Sequence, residues 1–132
     1  MPAVSAVASY EQVDSTNKNY AKNAIDGDIG TRWSADGRQW LLVELSQLKK
    51  LTHISLAFYQ GHTRQNYFSI ELSADGENWT TVFDGESTGT TSDLESYPIA
   101  PTEAKYSRLN CRGHSQSTAG WNSLSELVAT AE

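Results

Sequence analysis

Within the stretch AIDGDIGTRW, from Ala24 to Trp33, two carboxylates stand one residue apart at Asp26 and Asp28, and a hydroxyl follows at Thr31. Like charges at that spacing repel, so something must hold them. Oxygen donors set around glycines that tolerate unusual backbone angles, here Gly27 and Gly30, can wrap a hard cation. Calcium takes several such oxygens, backbone carbonyls included, at about 2.3–2.6 Å. The same spacing also suits an Asx turn, in which each aspartate accepts a hydrogen bond from a nearby amide. The full EF-hand loop pattern is absent.

A second kind of chemistry lies in polar segments that carry arginine and aromatic residues. Recognition of a small polar ligand uses flat aromatic or apolar surface and planar polar groups that reach its hydrogen-bonding edges. A carboxylated ligand adds a need for arginine, whose planar fork matches a carboxylate with two parallel hydrogen bonds. The segment Ser34 to Trp40 supplies Arg38. The segment Tyr59 to Asn66 supplies Tyr59, Gln60, His62, Arg64 and Asn66. The segment Gly113 to Asn122, preceded by Arg112, supplies His114, Trp121 and Asn122. The middle segment is the best candidate, because it joins two strand patterns and holds His62, Arg64 and Asn66 with hardly any acid nearby; a solvated loop is the plain alternative. Arg112 and His114 would add positive potential if the third segment lies alongside. Trp121 is either a stacking platform or a plug for the end of the fold, whereas Trp33 and Trp79 abut strand patterns and are expected in the core.

No catalytic constellation can be assembled. The chain has no GxSxG, no HExxH, no phosphate-cradling glycine loop and no paired-cysteine metal motif. His53 sits inside an apolar strand pattern, and the lone Cys111 reads as a small core residue. The many carboxylates leave a glycosidase-like pair open by count. A small domain without nucleophile or metal signatures is read as a binder, not an enzyme.

The elements that must position these residues are β-strands. Trp40 to Leu45, Leu51 to Phe58, Tyr67 to Ser73, Trp79 to Asp84, Leu94 to Ile99, Lys105 to Arg112 and Ser123 to Thr130 are rich in β-formers or alternate at period two. Ala74-Asp75-Gly76-Glu77-Asn78 supplies a turn between two of them. Only Tyr20 to Ala24 suggests a short helical turn. The expected fold is all-β and antiparallel, a sandwich or a barrel. The 132 residues suit one domain, residues 1–132, and a net charge of −6 argues against general nucleic-acid binding. No apolar run approaches the roughly 18–20 residues of a membrane span. The start MPAVSAVASY shows no signal-peptide pattern, so the chain is expected either to stay in the cell or to be a module of a longer secreted protein.

Taken together, AIDGDIGTRW, QWLLVEL, FSIELSADGENW, KYSRLNCRG and WNSLSELVA resemble the discoidin, or coagulation-factor C-type (F5/8 type C), β-sandwich with a jelly-roll topology. Within that group the chain is most similar to carbohydrate-binding module family 32, over about Ala6 to Ala129. The wording TRWSADGRQW, SLAFYQGHTR and GHSQSTAGWNSL looks most like modules attached to alginate lyases.

The resemblance implies a structural calcium held by the Asn23 carbonyl, Asp26, Asp28, Thr31, the Ser125 carbonyl and Glu126. The family often has Asn at the position of Asp28, and the alginate-lyase modules often have Lys at Gln60 and Asp at His62. The implied function is noncatalytic binding of an acidic polysaccharide or its oligosaccharides, by a secreted, monomeric module tethered to a catalytic domain. A galactose- or GalNAc-type ligand is an alternative. So is a discoidin-like adhesion role toward protein or phospholipid, which the polar loops disfavour.

Overall fold

The computed structural model describes residues 3–116 and 120–131. In chain order the strands are β1 (Ala3–Ala8), β2 (Gln12–Val13), β3 (Lys18–Asn19), β4 (Trp33–Asp36), β5 (Gln39–Phe58), β6 (Asn66–Ser73), β7 (Thr80–Glu86), β8 (Glu95–His114) and β9 (Trp121–Ala131). A single 3-10 turn, Ala21–Ile25, falls where the sequence suggested a helical turn. All of the pairings are antiparallel.

Two strands organise the fold. The patterns 40–45 and 51–58 were expected as separate strands, as were 94–99 and 105–112. Each pair instead runs on as one long strand, β5 and β8. The polar SQLKK stretch that looked like a break is an irregularity in the ladder, where the register shifts between Glu44 and Lys49. There β5 passes from one layer to the other. Its first half pairs with β1 and with the end of β8, and its second half pairs with β9 and with the start of β8. Strands β6 and β7 extend the first layer, and β4 extends the second. Long strands that bend across a corner join the layers of a sandwich by continuous hydrogen bonding.

Alternation then fills the space between the layers. Leu41, Val43 and Leu45 are fully buried, as are Leu51, Ile54 and Leu56 in the second half of β5. Phe68 is the hub, with ring centroids 5.3 Å from Phe58, 5.2 Å from Phe83 and 5.3 Å from Tyr97. Trp33 is fully buried, and its indole N–H donates to the Tyr10 carbonyl at 2.8 Å. Trp79 departs from the expectation: it is half-buried under the Arg108 guanidinium, 4.1 Å from the ring centroid. It follows a turn and precedes β7, so no neighbouring layer covers it. Cys111 lies in the core, and burial pushes its thiol up to about 12.

Candidate functional site

The expected binding residues divide between two places. Tyr59, Arg64 and Trp121 converge on one cleft of about 260 Å³, and Arg32, absent from the sequence-based set, joins them. Trp121 is paired with Asp36 at the start of β9, with its side chain 39% exposed at the cleft. Arg32 stacks over the Tyr59 ring at 4.0 Å, and its Nε–H donates to Ser34 Oγ at 3.2 Å. Ser34 and Ser123 share a hydrogen bond of 2.8 Å beneath, and Gln12 completes the wall. Arg64 donates from Nη2 to the Tyr59 carbonyl at 3.4 Å, while its Nε–H is buried without a partner.

Among the described residues no carboxylate lines this cleft. Burial lowers the Arg64 pKa from its ordinary value; the Tyr59 hydroxyl opposes that shift, and the Arg32 charge adds to it. Two guanidiniums with one unsatisfied N–H and no acid form a pocket that favours an anion. The sequence carried a signal for Arg32. Trp33 and Ala35 are core positions of β4, so Arg32 and Ser34, which alternate with them, take the opposite face, where Ser34 is buried and Arg32 half-buried.

The loop that delivers Tyr59 and Arg64 is fixed by close packing. An added Cβ at Gly61 would lie 2.5 Å from the Thr91 carbonyl oxygen and 3.0 Å from that of Phe58, so only glycine lets the two backbones approach. Gln60 has a positive φ of 55° and donates from Nε2 to the Tyr59 hydroxyl at 3.4 Å. His62 is bonded through Nδ1 to Ser92 Oγ at 2.5 Å, which ties it to the 87–94 segment.

The remaining expected residues sit elsewhere. Asn66 and His114 are buried and opposite one another in the β6–β8 ladder. The Asn66 amide donates to Ser87 Oγ at 2.8 Å, and its Nδ2 has no partner. His114 accepts a hydrogen bond at Nδ1 from the Gln116 amide at 3.2 Å. Burial first, and the Arg64 charge second, lower its pKa from its ordinary value. Asn122 is buried, and its side chain is used up on the backbone. It accepts from the Gly113 amide at 2.7 Å and donates to the carbonyls of Ala35, at 3.0 Å, and Gly37. Arg38 and Arg112 line a different cleft, and Arg112 is paired to Asp84 at 2.8 Å. Residues 117–119 of the third segment lie outside the described residues.

The acidic corner forms at another point. Asp26 accepts from the Asp28 amide at 2.9 Å, and Asp28 accepts from the Gly30 amide at 2.7 Å, so both make Asx turns. The Thr31 hydroxyl donates to Asp26 Oδ2 at 2.5 Å. Glu126, buried in β9, accepts only the Gly27 amide, at 3.2 Å to each carboxylate oxygen. Burial drives its pKa up to about 7; the Gly27 amide opposes the shift, and the charges of Asp26 and Asp28 add to it. Ser125 has no counterpart in β5, because Leu124 pairs with Phe58 and Glu126 with Ala57. The extra residue of such a bulge is left unpaired in the ladder.

Among the described residues no three Asp, Glu, His or Cys side chains already cluster as a metal centre. A mixed oxygen set of carboxylate, hydroxyl and carbonyl groups around a buried, uncompensated Glu126 does fit a hard cation. The Asn23 side chain is spent on the carbonyls of Lys18, at 2.8 Å, and Arg32, at 3.0 Å, which fixes the start of this loop.

With this geometry in view, the likenesses to known proteins bear directly on the site. The F5/8 type C domain family profile matches residues 5–127. The family 32 carbohydrate-binding module of AlyQ, solved in complex with 4,5-unsaturated mannuronic acid, superposes with a TM-score of 0.87 at 36% identity, covering 97% of this chain and 95% of that one. A pectin-binding carbohydrate-binding module superposes with a TM-score of 0.89 at 29% identity, covering 98% and 91%. Truncated AlyQ, which carries a family 32 module and an alginate lyase domain, matches over 98% of this chain but only 33% of its own length. A polysaccharide lyase 8 family protein, HylA of Enterococcus faecalis (strain ATCC 700802 / V583), is 39% identical over 67 residues, which are 49% of this chain and 5% of that protein. The chain is an antiparallel β-sandwich of the F5/8 type C domain family and belongs to its family 32 carbohydrate-binding modules.

Proposed function

We propose that the chain is a noncatalytic module that binds a carboxylated saccharide, an oligo- or polyuronate, in the cleft between Arg32, Arg64, Tyr59 and Trp121. The observation that carries this reading is the pair of guanidiniums without a carboxylate, one of them with a buried N–H lacking a partner. A uronate carboxylate would pair with the guanidinium groups that line the cleft, in the planar, two-bonded geometry that arginine favours. The exposed indole of Trp121 offers a flat face to the sugar ring, and Gln12 and the hydroxyl pair of Ser34 and Ser123 suit its hydroxyls. The likeness to modules of alginate- and pectin-related proteins supports the same ligand class.

Attached to a secreted polysaccharide lyase, such a monomeric module raises the local concentration of the enzyme at its substrate, because a weak site on the same chain makes each encounter intramolecular. A structural calcium held by Asp26, Asp28, Thr31 and Glu126, with carbonyls from Asn23 and Ser125, accompanies this reading. It would supply the positive charge that the buried Glu126 lacks and join the early loop to the last strand. The function is tested by calorimetric titration of short uronates into the calcium-loaded protein. Micromolar to millimolar binding that weakens as salt rises is expected, since charge pairing at an open site is screened. A neutral galactoside that binds better, with an affinity indifferent to salt, would overturn the acidic-sugar reading.

A further inference from the structure

The second cleft asks for its own explanation. It measures about 280 Å³ and lies on the outer face of the first layer, lined by Arg38, Trp40, Asn110 and Arg112 with Gln39 and Cys111. Trp40 stands directly opposite Asn110 in the β5–β8 ladder. Its neighbours Leu41 and Val43 and the partners Leu109 and Cys111 fill the core, so alternation turns Trp40, Asn110 and Arg112 outward together.

Trp40 leaves its indole 38% exposed on this strand face, beside two arginines. Its backbone is held on both sides: the Trp40 amide donates to Ser9 Oγ at 2.8 Å, and the Ser9 amide donates to the Trp40 carbonyl at 3.0 Å. Arg38, just before the strand, is exposed and takes part in none of the ion pairs found among the described residues. Arg112 keeps a partly exposed guanidinium beside Asp84, and Asn110 Nδ2 is committed to Glu71 Oε1 at 2.6 Å. An exposed indole on a hydrogen-bonded strand, flanked by the guanidinium of Arg38, shares the aromatic and cationic elements of the first cleft.

The two clefts meet at one turn. Trp121 of the first cleft pairs with Asp36, and Arg38 of the second follows Asp36 by two residues, a span of at most about 7 Å. The Gly37 amide donates to the Gly120 carbonyl at 3.0 Å, and Gln39 braces the turn by donating to the Asp36 carbonyl at 2.8 Å while accepting from Ser9 Oγ at 2.7 Å.

We infer that Trp40 and Arg38 form a second subsite for an acidic saccharide, so that a polyuronate chain held by Arg64 and Trp121 passes over the β4–β5 turn and lays a further residue on the Trp40 face. The inference rests on the uronate reading of the first cleft. It predicts that affinity grows with chain length through residues that the shortest ligand never touches.

The test titrates a monouronate and a long oligouronate into the wild-type protein, Arg38→Ala, Trp40→Ala and Arg64→Ala, with melting curves as a check on folding. Arg38→Ala and Trp40→Ala should each weaken the oligomer by about fivefold or more, roughly 1 kcal/mol, and leave the monouronate as it is. In amide and indole NMR spectra the Trp121 indole signal should move with both ligands, and the Trp40 signal only with the oligomer. Unchanged oligomer affinity in Arg38→Ala and Trp40→Ala, with a loss in Arg64→Ala, would remove the second subsite and keep the first. A loss in Trp40→Ala with none in Arg64→Ala would remove the first cleft and, with it, the chain proposed to span both. Equal loss of both ligands in Trp40→Ala would overturn the proposal, and a wild-type protein blind to both uronates would overturn both readings.

Discussion

At the scale of single residues, the molecule sets like charges together twice without a counter-charge. Arg32 and Arg64 share a cleft with no acid, and Asp26, Asp28 and Glu126 share a corner with no base. Like charges held together repel, and an ion of opposite sign would relieve that repulsion at either place. Replacing Arg64 with Ala removes a charge-assisted pair worth about 1.5–3 kcal/mol, so titration should show uronate affinity falling by at least about tenfold. Arg64→Lys should recover part of that loss, because lysine keeps the charge but not the fork.

Elsewhere a carboxylate is satisfied locally. Asp75 accepts from the Glu77 and Asn78 amides at 2.8 and 2.9 Å, from Asn78 Nδ2 at 2.7 Å and from the Ser73 hydroxyl at 2.9 Å. These bonds, the two amides foremost, hold its pKa well below the usual carboxylate range. A depressed folded-state value stabilises the fold above the unfolded pKa, near 3.8, and that contribution is lost as pH falls below it. Wild-type protein should therefore melt above Asp75→Ala at pH 6, with the gap closing steadily below about pH 4.

At the scale of elements, the site depends on pieces whose sequence signals differed in strength. The strand of β6 was legible because alternation at period two leaves a plain trace, and those of β7 and β9 because short β-rich runs follow turn-forming segments. The continuity of β5 and β8 was not, because SQLKK looks like a loop until its ladder partners are known. Arg64, Tyr59 and Trp121 were legible as loop residues of the right chemistry. Arg38 and Arg112 shared that chemistry, yet the β4–β5 turn carries Arg38, and alternation along β8 carries Arg112, to another cleft. Asn122 looked like a ligand group and is a latch, since side-chain type alone does not reveal which backbone groups lie within reach.

That latch joins the β4–β5 turn to the β8–β9 connection. Asn122→Ala would strand the Gly113 amide and two carbonyls, at about 1–3 kcal/mol for a group left buried and unsatisfied. A fall in urea midpoint and weaker sugar binding together are expected, as Trp121 loses its support. Gly61→Ala should act on the other wall. With no room for a methyl group beside Thr91, the loop must shift, and uronate affinity should fall more than stability does.

At the scale of the whole molecule, the chain threads its two charged centres along one segment. Thr31 of the acidic corner is followed at once by Arg32 of the cleft, and Glu126 lies three residues past Ser123 in β9. Calcium at the corner should therefore stabilise the fold and also steady Arg32. At about a hundredfold excess over its dissociation constant, a bound ion stabilises by about 2.7 kcal/mol, which for a domain of this size is on the order of 10 °C. Melting curves with calcium and with EDTA should differ by that order, and Glu126→Gln should erase the difference. Coincident wild-type curves in the two buffers would remove calcium from the account. Chelation should also weaken uronate binding several-fold while leaving the Arg64 contribution in place.

The most direct measurement is a crystal structure of the calcium-loaded module grown with a short uronate. The account predicts one carboxylate within about 2.7–3.2 Å of Arg64 and Arg32 nitrogens, with the sugar ring against Trp121 and Tyr59. A uronate bound at another surface, with both guanidiniums left facing solvent, would contradict it.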